Sequence, residues 1–260
     1  MRVWQASSVS MEGTHVLEDK KIVALIPARS GSSRIPNKNI KDFFGHPLLA
    51  YTIQQAIDAD IFSRIIVSSD SKAYLDIAEK YGAQTIRRPF PISDVLSTDY
   101  EWINHAMAHL QKFYEVPDCF CILRPTNPFR QPETIKRAWK QFIDDQPCDS
   151  IRAVERCKQH PYKMWLVRPD ESDREIMLPM SGNIETCNSP YQGLPIVYAQ
   201  TAAIEIAWTD NIFEFKNVSG EIVRPFFMPE SESIDINLPI DWLIAEEIYN
   251  KKLAGLVKIR

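Results

Sequence analysis

Six cations (Lys20, Lys21, Arg29, Arg34, Lys38, Lys41) and no carboxylate lie between positions 20 and 41 of a 260-residue chain whose formal net charge is −4. Arg29, Arg34 and Lys38 flank Gly31 in a loop rich in small hydroxyl residues, directly after the apolar run Ile22 to Ile26. Backbone amides around a glycine, joined by fixed guanidinium and ammonium groups, make a concavity for phosphate oxygens. A solvated basic loop has the same composition; the place of this one at the end of a buried strand favours the cradle. It is neither a Walker loop nor a dinucleotide fingerprint, because Gly31 stands alone.

Late in the chain Asp235 and Asn237 are two residues apart, so in an extended segment their side chains share one side. Two oxygen donors beside phosphates suit a partly hydrated Mg²⁺, while an Asx turn uses the same residues without metal. Asp70, after the run Arg64 to Ser69, reads as a helix N-cap or as a second metal contact. Arg124 and Arg130 each offer the planar fork that pairs bidentately with a substrate carboxylate. His105 and His109 are one helical turn apart but share their helix with Trp102 and Ala106, with no Glu or Cys at ligand spacing, which places them on an ordinary packed helix. His160 to Trp165 clusters imidazole, aromatic and cationic groups and fits a substrate pocket or a subunit contact. No GxSxG elbow or other local nucleophile signature is found.

The elements that must position these groups alternate. A strand at Ile22 to Ile26 precedes the loop; a helix is expected from about Pro47 to Ala59, a strand at Arg64 to Ser69, and a helix from Ser71 to Tyr81 closed by Gly82. Gln84 to Ile86 is a short strand, and Arg87 to Pro91 is an extended, proline-bound segment. Thr98 with Glu101 forms a capping box for a helix burying Trp102, Ala106, Met107, Leu110 and Phe113. Cys119 to Leu123 is a third buried strand, whose carboxyl end carries Arg124, Asn127 and Arg130; in open parallel sheets ligands bind at that edge. A helix from Pro132, a strand at Ser150 to Val154, strands at Ile196 to Ala199, Ala202 to Trp208 and Ile222 to Phe227, and a last helix from Pro239 burying Trp242, Leu243, Ala245 and Ile248 complete the order. The fold class is therefore α/β, a mostly parallel sheet with helices on both faces.

Composition narrows the function. A sequence pI near 5.8 excludes a broad basic surface for nucleic acid, so the anion met by the local cations is small. No stretch approaches a membrane span. Five cysteines without a CxxC pair indicate neither zinc nor a disulfide framework, which fits a reducing cytoplasm. Residues 1–20 read as a tail, and 21–260 as one domain with an insertion or arm at about 160–195, where periodicity is weak.

Ile26 to Ser32, Lys38-Asn39-Ile40, Val67 to Asp70, Arg88-Pro89, Leu123 to Arg130 and Ser233 to Ile236 together resemble the acylneuraminate cytidylyltransferase family, the CMP-sialic acid synthetases and their relatives, in register from about Lys21 to the final helix. The resemblance implies a Rossmann-like nucleotidyltransferase fold, usually homodimeric, that uses CTP and Mg²⁺ to activate a nine-carbon or related ulosonic acid for surface glycans. It places Ala28, Arg29 and Asn39 at CTP, Lys38 near its phosphates, Arg88 and Ser97 near the cytidine, and Asp235 on magnesium with Asn237 beside it. Arg29 and Lys38 then neutralise charge in the displacement, while Arg124, Asn127 and Arg130 fall to the sugar acid. The chain departs from the family pattern in having Arg124 where many members have glutamine, Asn237 where they have aspartate, and no arginine in Pro190 to Pro195. A related enzyme with another sugar (3-deoxy-manno-octulosonate or a sugar 1-phosphate) or another base, or a non-catalytic nucleotide-binding subunit, accounts for the same residues.

Overall fold

The computed structural model describes residues 20–260 apart from Ser33 and Val95; most of the expected tail lies outside the described residues. Seven strands form the main sheet: β1 (Ile22–Pro27), β4 (Phe62–Ser69), β5 (Gln84–Arg87), β6 (Cys119–Ile122), β7 (Ser150–Arg156), β10 (Tyr198–Trp208) and β11 (Val223–Phe227), in the order β11-β7-β10-β6-β1-β4-β5. β1 pairs parallel with β4 and β6, and β4 with β5, whereas β10 runs antiparallel to β6. The carboxyl ends of β1, β4, β5 and β6 thus lie along one edge. Two short ladders complete the strands, β2 (Asp42–Phe43) with β3 (His46–Pro47), and β8 (Trp165–Pro169) with β9 (Glu175–Pro179).

β1 shows why the sheet is a central layer. Its residues are apolar without alternation, and successive side chains enter different cores. Ile22, Ala24 and Ile26 join a core with residues of α1 (Leu48–Ala59), α2 (Lys72–Lys80) and α4 (Pro132–Asp144), whereas Val23 and Leu25 join one with α3 (Asp99–Phe113) and Ile212 of the short α6 (Asp210–Phe213). α3 starts at the expected capping box, Thr98 accepting from the Glu101 amide and Glu101 accepting from the Thr98 amide. Gly82, at φ +91°, follows α2 in the left-handed conformation that a side chain resists.

A third core matters most for the site. Ile35, Phe43, Leu48, Tyr51, Phe129, Ile236, Trp242, Ala245 and Val257 pack together, joining the basic loop, the β2–β3 ladder, the segment after β6 and α7 (Pro239–Asn250). The Phe43 ring stands edge-on to Tyr51, Phe129 and Trp242, at 5.3 Å from the last. Segments more than 190 residues apart in sequence are held beside one another by this cluster.

The contacts divide the chain into two units, one of residues up to Ala153 and from Thr201 onward, the other Val154–Gln200. The second unit contains the β8–β9 hairpin and α5 (Ile184–Asn188), regular structure that the many prolines and polar residues of that stretch hide from a periodicity reading. Other expectations are corrected by packing. Phe113 is 58% exposed, because α3 ends there and the ring rests on His109 instead of a core. Leu243 is also exposed, since α7 buries only Trp242 and Ala245. One strand, Tyr198–Trp208, covers the expected strand 202–208 and the last two residues of the expected strand 196–199, whereas Ile196 and Val197 lie outside it; Gln200 and Thr201 interrupt the apolar run but not the strand.

Truncating Phe43 to Ala should lower unfolding free energy by about 3–5 kcal/mol, read by urea titration, because a fully buried ring at the centre of an aromatic cluster leaves a cavity that its neighbours cannot close.

Candidate active site

A cleft of about 290 Å³ opens over the carboxyl ends of the parallel strands, lined among others by Arg29, Ser32, Arg34, Lys38, Asn39, Arg88, Ser97, Arg124, Asp235 and Asn237. Every one of these lies in the larger unit. The structure therefore brings together the loop cations, the segment after β5, the segment after β6 and the late acidic pair.

Each group is set by identifiable bonds. The Ala28 amide donates to Ser68 O at 2.9 Å, extending the β1–β4 ladder up to the loop. Arg29 Nη1 donates to the Asp94 carbonyl at 2.9 Å, and Asn39 Nδ2 to the Arg29 carbonyl at 3.2 Å, so Asn39 braces the loop from beneath. Lys38 Nζ donates to Ile236 O at 2.6 Å, crossing to the segment that carries Asp235 and Asn237. Burial pulls the Lys38 ammonium below its ordinary pKa while Asp235 opposes the change. Arg88 is 4% exposed, donates to Ser68 Oγ and O, and lies 5.1 Å from the Trp102 ring centre; burial lowers it to about 10.

Asp70 is not the helix cap. Its carboxylate accepts from the Ser30 amide at 2.8 Å and the Ser30 hydroxyl at 2.6 Å, clasping the basic loop to the end of β4. The α2 N-cap, Ser71, makes no side-chain cap, and its amide donates to Ser69 Oγ. This corrects the picture of a glycine nest as well. Ser30 and Ser32 amides are spent on Asp70 and on Ser30 O, and a Cβ on Gly31 would meet open space. The Arg29, Arg34 and Lys38 side chains, by contrast, line the cleft.

Three expected site residues do not line the cleft. Ala28 is fully buried. Arg130 is completely buried, donating to Ala203 O, Gln55 Oε1 and Thr52 Oγ1, which ties α1 to β10 and leaves no guanidinium edge for a substrate. Asn127 is buried too, its Nδ2 donating to Ile234 O at 2.9 Å. Together with the Ile236 amide donating to Thr126 O, that bond fixes the late segment against the end of β6. His105 and His109 sit on α3 away from the cleft, and His160 caps a short turn in the smaller unit, its Nδ1 accepting from the Tyr162 amide.

Asp235 and Asn237 do point to one place. Asn237 Nδ2 donates to Asp235 Oδ2 at 2.6 Å, and Asp235 Oδ1 is buried without a hydrogen-bond partner. An unpaired buried carboxylate oxygen is costly and marks a place for a cation or donor. With the Asn237 amide oxygen beside it, this donor set fits a hard divalent ion, although among the described residues no group of three or more His, Cys, Asp and Glu could enclose one.

Asp99 is the residue that sequence reading passed over. It was legible only as the first position of a capped helix, yet its carboxylate lines the cleft, accepting from Trp102 Nε1 at 2.8 Å and pairing with Arg124 Nη2. Burial works against its charge, but Arg124, Trp102 and Arg152 together hold it below the ordinary carboxylate pKa.

Residues 23–175 match the family model described as Cytidylyltransferase. The chain belongs to this family. It is 34% identical over 243 residues to the CMP-N,N'-diacetyllegionaminic acid synthase of Legionella pneumophila, covering 91% of this chain and all of that protein. It is 40% identical over 237 residues to the pseudaminic acid cytidylyltransferase of Campylobacter jejuni, covering 88% and 96%. Among solved structures, CMP:2-keto-3-deoxy-manno-octonic acid synthetase complexed with CTP superposes with a TM-score of 0.64 at 14% identity, over 89% of this chain and 99% of that one. The last likeness concerns the fold, which is the Rossmann-like fold expected for a cytidylyltransferase. None of the described helices is long and apolar enough to cross a membrane.

The Ser30 bonds hold the Asp70 carboxyl below its ordinary pKa of 3.8, against the effect of burial. A carboxylate depressed in the folded state stabilises it fully above that value and loses the effect as pH falls through the lower folded value. Asp70→Ala should therefore lower the melting temperature at pH 7, and the gap from the native protein should shrink steadily below pH 3.8, measured by scanning calorimetry.

Proposed function

We propose that the protein transfers CMP from CTP to the anomeric hydroxyl of a sialic-acid-like ulosonic acid, releasing pyrophosphate, in the cytoplasmic supply of activated sugars for surface glycans. The observation that carries this reading is the convergence of Arg29, Lys38, Arg88 and Asp235 in one cleft of a cytidylyltransferase-family chain. The two relatives are named for legionaminic and pseudaminic acids, both nine-carbon keto acids of the sialic type, which supports an acceptor of that class.

In the reaction the sugar hydroxyl oxygen bonds to the α-phosphorus, the bond from that phosphorus to the bridging oxygen of the β-phosphate breaks, and the hydroxyl proton is released. Such a displacement needs positioning and charge neutralisation more than a protein nucleophile. Arg29 and Lys38, locked by Asp94 O and Ile236 O, present fixed charge to the triphosphate and need not reorganise as charge moves onto the leaving oxygen. Arg88, over Trp102, and Ser97 form the wall assigned to the cytidine. Asp235 and Asn237 would hold Mg²⁺, which when bound supplies charge neutralisation at the phosphates. Arg124, the cationic group facing the cleft from the end of β6, is assigned to the acceptor carboxylate; Asn127 and Arg130 serve it only through the backbone they fix.

Pyrophosphate release measured for each nucleoside triphosphate against a panel of sugar acids and sugar 1-phosphates decides the reading. Turnover with CTP and a nine-carbon ulosonic acid is expected; turnover only with 3-deoxy-manno-octulosonate, a sugar 1-phosphate or another base selects a related transferase. No turnover of CTP with any ulosonic acid overturns the proposal. Arg29→Ala should lower kcat by about 10²–10³-fold, and Asp235→Ala should abolish magnesium-dependent turnover; nucleotide binding without turnover in the native protein would indicate a binding subunit instead.

The working form is assigned as a homodimer. In the smaller unit the β8–β9 hairpin exposes Leu166, Val167 and Met177, each more than half accessible, with Val167 directly opposite Met177 in the ladder. Contiguous apolar side chains of this kind are covered in a working assembly. Light scattering should give twice the 30.0 kDa chain mass, and Val167→Glu with Met177→Glu should return it to the mass of one chain.

A further inference from the structure

Arg124 is the third member of a row of four alternating charges, Arg152, Glu205, Arg124 and Asp99. Arg152 on β7, Glu205 on β10 and Arg124 just past β6 sit on three neighbouring strands, and Asp99 opens α3 on the cleft side. Glu205 is almost completely buried. Its Oε2 lies 2.8 Å from Arg152 Nη1 and its Oε1 3.3 Å from Arg124 Nη2, while Asp99 Oδ2 pairs with the same Nη2.

The geometry has two consequences. Both protein carboxylates use one nitrogen of Arg124, so its Nε and Nη1 have no protein acceptor among the described residues, although the side chain lines the cleft. The charge count matters equally. Two carboxylates around one guanidinium would cancel its field and repel an anion; Arg152 offsets Glu205 and leaves Arg124 balanced by Asp99 alone. A buried glutamate can then orient the arginine without making the pocket acidic.

We infer that Glu205, paired with Arg152, is the positioning residue that aims Arg124 at the carboxylate of the acceptor, so that the Arg152–Glu205 pair beneath the cleft sets acceptor affinity without touching substrate. The inference rests on the proposed transfer to a sugar acid, and it concerns residues outside those assigned to CTP. Glu205 acts only through Arg124, and CTP binds through groups that Glu205 does not contact.

The test is steady-state kinetics with CTP and whichever sugar acid the native protein uses, for Arg124→Gln, Glu205→Gln and the pair combined. Arg124→Gln and Glu205→Gln should each raise KM for the sugar acid about 10- to 100-fold, with KM for CTP unchanged. The combined variant should be no worse than Arg124→Gln alone, because a positioning residue has nothing left to position; a merely structural effect would add. Glu205→Gln leaves Arg152 without its carboxylate, so Glu205→Gln with Arg152→Gln, which removes both charges of the pair, serves as the folding-safe version and should show the same rise in sugar-acid KM. An active native protein whose Glu205 variants keep the sugar-acid KM, change both substrates alike, or add to Arg124→Gln overturns the inference. A native protein inactive with every sugar acid fails at the earlier step and overturns the transfer reading itself, on which the inference depends.

Discussion

Five cations, Arg29, Arg34, Lys38, Arg88 and Arg124, line one partly desolvated cleft whose described lining includes three carboxylates, Asp94, Asp99 and Asp235. Like charges held together away from water repel more strongly than they would on an open surface. The Asp99–Arg124 pair offsets part of that repulsion, and the fold supplies the rest of the confinement from elsewhere. This requirement explains most of what surrounds the site.

For Arg29, Lys38 and Arg88 the confinement is built from backbone acceptors and apolar packing, whereas Arg124 is held by carboxylates. Arg29, Lys38 and Arg88 each donate to a main-chain carbonyl, of Asp94, Ile236 and Ser68 respectively, and carbonyls fix direction without consuming charge. Asp70 directs its carboxylate to Ser30, so it anchors the loop through hydrogen bonds to the chain itself. Behind these bonds, the aromatic cluster around Phe43 and Trp242 brings the loop and the late segment to the same place. A site assembled from positions 29 and 235 depends on packing that belongs to neither.

The legible part of this design was the part written locally. The strand Ile22–Pro27 ending in a basic loop, the Thr98–Glu101 capping box, Gly82 after α2 and the Asp235–Asn237 spacing are patterns of adjacent residues, and each appears in the structure as an element or a cleft wall. What was not legible depends on partners remote in sequence. Arg130 looks identical to Arg124 in the string, yet one is sealed between α1 and β10 and the other faces the cleft, a difference decided by Gln55, Thr52 and Ala203. Asp70 follows its strand as an N-cap should, but Ser30, 40 residues earlier, claims it. Asp99 and Glu205 carry no motif at all; their signal is the company of Arg124 and Arg152, which only the sheet order supplies.

That company also gives the departures from the family pattern a common sense. An arginine in place of glutamine at 124 adds a positive charge, and an asparagine in place of aspartate at 237 removes a negative one, so both changes move the cleft in the same electrostatic direction. An unpaired arginine at the base of the cleft would be a buried cation without compensation; Glu205 and Asp99 make it tolerable, and Arg152 keeps the compensation from going too far. At the other wall, Asn237 donates to Asp235 instead of repelling it, which leaves one free carboxylate oxygen where an aspartate pair would present several. Relative to the family pattern, negative charge is removed beside Asp235 and positive charge is added at the end of β6, where Asp99 and Glu205 receive it.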